Sequence, residues 1–158
     1  MAEEIRDISL STKRAFSIDG DLNRIIHIDT SDLNILARLE ETYPKIQKLA
    51  VEASEKVASI DKAKDDEDDT VLSEYVKVLK SIDKDMREMV DYIFASPIAD
   101  ICVPDANMYD PVNGGFRYED LIDKLSRLYA NNLTAEFKKM QDRVKKHTEK
   151  YANRRNKK

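Results

Sequence analysis

Hydrophobic residues recur along this chain first at every second position, then at alternating steps of three and four. Ile8, Leu10, Phe16 and Ile18 share one parity, while Ser9, Ser11, Lys13, Ala15 and Ser17 hold the other. That is the period of a strand with one covered face. Asp19-Gly20-Asp21 supplies turn backbone, and Arg24-Ile25-Ile26-His27-Ile28-Asp29 is β-branched enough for a return strand. Residues 1–30 are therefore expected to hold a β-hairpin, with Arg14 an intruder on the apolar parity. A lone hairpin is marginal in water and needs another element across its face.

Thr30-Ser31-Asp32 reads as a helix start, because a hydroxyl or carboxylate there accepts free amide protons and an aspartate suits the positive helix end. Leu36, Tyr43, Ile46, Ala50, Ala53, Val57 and Ile60 then form a helical stripe. Pro44 interrupts it, giving either a kink or a second helix that starts at Thr42. A second stripe runs through Leu72, Tyr75, Leu79, Ile82, Met86, Met89 and Ile93. A third follows Tyr118, Leu121, Leu125, Leu128, Leu133, Phe137, Met140 and Val144. Between the first two stripes lies an acidic connector, 62–70, containing Asp65-Asp66-Glu67-Asp68-Asp69. It lacks the central glycine and distant glutamate of a calcium-binding loop and reads as solvated chain.

Long amphipathic helices must cover one another. The expected fold is mainly α with a small β part (α+β), an N-terminal β-hairpin packed on a bundle of three or four amphipathic helices. The bundle would span 31–149, with a basic tail over 150–158 and one domain overall. Coiled-coil self-association uses the same spacing, but the tyrosines, methionines and wide apolar flanks favour a bundle within one chain. Residues 97–117 break the pattern: they hold three of the four prolines (Pro97, Pro104, Pro111) and two of the three glycines (Gly114, Gly115). This loop is also apolar, with Ile98, Ile101, Val103, Met108, Tyr109 and Phe116. A loop of that length folds back on the bundle or meets a partner.

Charge sharpens the picture. Net charge over the 158 residues is −4, yet residues 138–158 carry ten Lys or Arg against Asp142 and Glu149, so that segment is about +8 and the remainder about −12. Its cations either complement a helix end or meet something acidic: nucleic acid, a partner, or the body of a neighbouring copy. The acidic body, the isoelectric point near 5.3 and the lack of a helix-turn-helix or RNA-recognition signature speak against nucleic acid. Charged residues at 37% and a mean hydropathy of −0.61 suit a soluble protein. No apolar run reaches the roughly 18 residues of a membrane span, and Met-Ala-Glu-Glu lacks the features of a signal peptide.

Candidate chemistry is sparse. One cysteine, Cys102, and two distant histidines, His27 and His147, make no Cys- or His-based metal centre. Three glycines are too few for a dinucleotide fold or a phosphate-binding loop. No nucleophile, base and orienting group assemble, so no enzyme activity and no cofactor are expected.

The order of parts resembles the tail assembly chaperones of siphophages and prophages of Gram-positive bacteria. The likeness rests on Phe16-Ser17-Ile18-Asp19-Gly20-Asp21, then Ile26-His27-Ile28-Asp29-Thr30-Ser31-Asp32 and a helix. Next come Asp91-Tyr92-Ile93-Phe94, Asp100-Ile101-Cys102-Val103-Pro104, and Asn113-Gly114-Gly115-Phe116-Arg117-Tyr118-Glu119 before a last helix with a charged end. Phe94-Ala95 stands where the family has Phe-Gly. The resemblance implies a non-enzymatic protein of the host cytoplasm, absent from the finished virion, that coats the tape-measure protein and recruits tail-tube subunits. A longer frameshifted form is a further property of many such chaperones. On this reading, Ile98, Ile101, Val103, Met108, Tyr109 and Phe116 are the candidate partner-binding surface. Lys145, Lys146, Lys150, Arg154 and Arg155 are candidates for self-association or an acidic partner. A head–tail connector or tail component, and a basic-tailed nucleic-acid-binding or regulatory protein, are the alternatives.

Overall fold

A computed structural model describes residues 3–63 and 69–156. The chain is mainly helical with a small antiparallel hairpin at its start. Strands β1 (Lys13–Ile18) and β2 (Asp21–Asp29) pair antiparallel across Asp19-Gly20. Both turn residues have positive φ, 52° and 72°, the two-residue turn whose twist matches a hairpin. Phe16 pairs with Ile26 and Arg14 with Ile28, so the even-numbered face turns inward. Ile26 and Ile28 are buried there.

Arg14, the intruder on that face, is explained by what it reaches. Its guanidinium donates to Asn132 Oδ1 at 3.1 Å and to Glu136 Oε1 at 3.0 Å, holding the hairpin to the last helix. The register slips between Ser17 and Ile18, leaving Leu22, Asn23 and Arg24 without a β1 partner. The strand expected over Ile8 and Leu10 does not form: both are exposed and lie before β1. Alternation alone cannot supply the neighbouring strand that would hold them.

Helix α1 (Asn34–Ala63) follows. Asp32 Oδ1 accepts the Asn34 amide at 2.9 Å, and Asp32 also pairs with Arg38 at 2.6 Å. Pro44 lies inside one continuous helix, so the second helix start at Thr42 does not occur. Helix α2 (Asp69–Phe94) returns alongside α1. Of the acidic connector expected over 62–70, residues 64–68 lie outside the described residues, as do Lys157 and Lys158.

The α2 terminus is a turn in which the Ser96 amide donates to Asp91 O and the Ala95 amide to Tyr92 O, with Ala95 at φ 50°. The expected loop 97–117 is built rather than irregular. It contains a single-turn helix, α3 (Ala99–Cys102), and a small hairpin of β3 (Pro111–Val112) and β4 (Gly115–Phe116). Asn113 and Gly114, at φ 50° and 80°, turn that hairpin as Asp19-Gly20 turn the first.

Helix α4 (Arg117–Asn156) is continuous for 40 residues, about 60 Å. The tail expected from 150 onward is thus the end of this helix through Asn156. One core joins all these parts. It includes Ile26 and Ile28 of the hairpin, Ile46 of α1, Met86 and Ile93 of α2, and Tyr118, Ile122 and Tyr129 of α4.

Candidate interaction surfaces

The segment 97–117 is fastened to the body at almost every step. Arg24, freed by the register slip in β2, donates to Ile101 O at 3.1 Å and Cys102 O at 2.9 Å. Arg87 of α2 donates to Val103 O at 2.7 Å and to Ala106 O, while pairing with Asp83 at 2.8 Å. Asp83 in turn accepts the Met108 amide at 2.7 Å. Asp91 Oδ1 accepts the Ile98 and Ala99 amides at 2.9 and 2.8 Å. Burial pushes the Asp91 carboxyl above its ordinary range, against the pull of those two amides.

This removes three of the six candidate partner residues from the surface. Ile98 and Met108 are 0% exposed and Val103 7%, all three inside the core. Ile101, Tyr109 and Phe116 are half-buried and packed against it. Apolar content in a loop reports that it is covered, not by what, and here the cover is the chain itself. The fastening residues Arg24, Arg87, Asp83 and Asp91 escaped the sequence reading because most of their partners are backbone groups. Only the Asp83-to-Arg87 spacing of four on one helix was a readable pairing signal.

The uncovered surfaces lie elsewhere. The Tyr43 ring meets Tyr118 at 6.0 Å, and Tyr129 Oη donates to Asp32 O at 2.7 Å, so α4 runs antiparallel to the start of α1. Beyond this overlap the two helices leave the body at opposite ends. At one end, Val57 of α1 and Leu72 and Val76 of α2 continue the core line but remain exposed. Two helices alone cannot enclose the stripe between them. At the other end, Phe137, Met140, Val144 and Tyr151 are exposed on α4. The third stripe, read as core throughout, thus loses its cover after Leu133.

Every described side chain of α4 from Phe137 to Arg155 is exposed, including Lys145, Lys146, Lys150, Arg154 and Arg155. Among the described residues none of these five has an acidic partner. Arg143, Lys145 and Lys150 flank the apolar line formed by Phe137, Met140, Val144 and Tyr151, by the 3.6-residue period. His147 adds an edge contact to the Tyr151 ring at 5.1 Å.

A third surface is a groove of about 510 Å³ between the first turns of α1 and of α4. Leu36, Leu39, Tyr43, Pro44 and Ile122 form its apolar lining, and Glu40, Glu119 and Asp123 its rim. Pro44 has no amide to donate, so the Glu40 carbonyl lacks its helix bond beside the groove. Burial, with the charges of Glu119 and Asp123, pushes the Tyr43 hydroxyl above its usual range. Glu40 and Glu119 have no cationic partner among the described residues, and Asp123 pairs with Arg127 at 3.2 Å.

Among the described residues, groups that could carry chemistry do not converge. Burial pushes the half-buried Cys102 thiol up to about 11, away from a reactive thiolate. His27 lies exposed on β2. Among the described residues no group of three or more His, Cys, Asp or Glu is placed to hold a metal ion. Nor is any helix among them long and apolar enough to cross a membrane. Comparison of the chain with protein-family models, with curated proteins and with solved structures finds no match.

Proposed function

We propose that this protein is a phage tail assembly chaperone, which shields the tape-measure protein and recruits tail-tube subunits in the host cytoplasm. The observation that supports the reading is the third side of the α1–α2 pair, where Val57, Leu72 and Val76 continue the core line yet are 40–48% exposed among the described residues. A long amphipathic helix from another polypeptide fits that vacancy as the missing third helix of a bundle. A tape-measure protein supplies such helices, and unshielded they would associate with one another. The order of sequence motifs agrees with this role.

The test is co-purification with a helical segment of a tape-measure protein from the same phage genome. The double variant Leu72→Gln, Val76→Gln should lower recovery of that segment about tenfold while its helical signal stays unchanged. Equal recovery by variant and wild type would refute the assignment. The exposed basic half of α4 favours a second reading, binding to nucleic acid. A salt-dependent mobility shift of arbitrary duplex DNA by the chain alone would support it. Mass spectrometry of purified virions separates both from a connector or tail component, which would remain in the particle.

A further inference from the structure

The two remaining surfaces complement each other. One is a helix with an apolar line edged by cations. The other is an apolar groove rimmed by carboxylates. They cannot meet within one molecule, because α4 itself forms one wall of the groove. The helix then continues without interruption, carrying Val144 about 30 Å along its axis from Asp123.

We propose that the free half of α4 docks into the acid-rimmed groove between α1 and α4 of a second copy of this chain. Phe137, Met140 and Val144 would cover Leu36, Leu39, Tyr43 and Ile122. Arg143, Lys145 and Lys150 would face Glu40, Glu119 and Asp123. The donor helix and the acceptor groove are different patches, so the contact is heterologous: the donor keeps its groove unused and the acceptor its helix. Repetition gives an open chain of copies, or a ring where the rotation closes. The Val57, Leu72 and Val76 face stays free for another polypeptide, so this contact stands or falls apart from the proposed function.

Sedimentation velocity of the full chain alone, at low and high salt, tests it. The sedimentation coefficient should rise with concentration at low salt, and less so at high salt. The helix variant Arg143→Glu, Lys145→Glu, Lys150→Glu and the groove variant Glu40→Lys, Asp123→Lys should each associate at least about tenfold more weakly. All five positions are exposed, so the fold should survive, and circular dichroism checks that. Mixing the two variants should restore association, because the acidic helix of one then meets the basic groove of the other. Zero-length carbodiimide coupling of wild type mixed with its isotope-labelled form should join Lys145 or Lys150 to Glu40 or Asp123 between copies.

A monomer at every concentration would overturn the proposal. So would reversal variants that associate like wild type, a mixture that stays apart, or couplings that lead from α4 to the α1–α2 tip instead. A chain that shifts duplex DNA yet never self-associates would assign the cationic helix to nucleic acid and equally overturn it.

Discussion

Ala95 holds a backbone conformation, φ 50°, that an L-residue with a β-carbon adopts only at a cost. It does so because the α2 terminus closes with the paired hydrogen bonds from Ser96 to Asp91 and from Ala95 to Tyr92, a motif that usually has glycine at this place. Replacing Ala95→Gly should therefore stabilise the protein by about 1 kcal/mol, read from the urea midpoint at unchanged slope. A destabilisation of similar size would contradict the geometry.

Asp32 gives a pH-dependent prediction at the same scale. The hydrogen bond from Arg38 holds its carboxyl below the ordinary 3.8, against the opposing effect of burial. A carboxyl depressed in the folded state binds fewer protons there than in the unfolded chain. Its stabilisation is thus present above the unfolded value and is lost as pH falls through the lower folded one. The stability difference between wild type and Asp32→Asn should be widest near neutral pH and narrow below 3.8. A difference that does not change with pH would show that the Arg38 pair contributes nothing.

Among elements, α4 joins two environments in one continuous helix. Met86 of α2 is 0% exposed and Met140 of α4 is 58% exposed, although both were placed on apolar stripes of the same period. Met86→Ala should cost about 2–5 kcal/mol. Met140→Ala should leave the folded monomer within about 0.5 kcal/mol of wild type. Thermal unfolding at a concentration below any association measures both. A large loss at Met140 would mean that the end of α4 packs against its own chain.

These elements also show what the sequence could reveal. Helical periodicity located the long helices, because the one-sided stripe is a property of the segment alone. It did not reveal that Phe137, Met140 and Val144 lie beyond the body, since periodicity records amphipathicity and not the presence of a neighbour. Asp19-Gly20 and Asn113-Gly114 were readable as turns because positive φ restricts residue choice. The inward packing of Ile98, Val103 and Met108 was not readable. It depends on Arg24 and Arg87 gripping backbone carbonyls, which every residue possesses alike. Arg14 was a visible irregularity in the alternation, and its partners on α4 supply the reason for it.

At the scale of the whole molecule, charge and cover are both unevenly distributed. The body overlaps α4 with the first turns of α1, and uncovered apolar lines emerge at opposite ends. The α4 end carries cations on its flanks, and the groove in the body carries carboxylates on its rim. The remaining exposed line, on the α1–α2 pair, is the site assigned to a foreign helix in the proposed function. Hydrogen–deuterium exchange of the full chain, with and without a helical tape-measure segment, tests that assignment most directly. Binding should slow exchange over residues 51–60 and 71–80 and leave the already packed 98–108 segment unchanged. Protection confined to 98–108, or no change in either region, would contradict it.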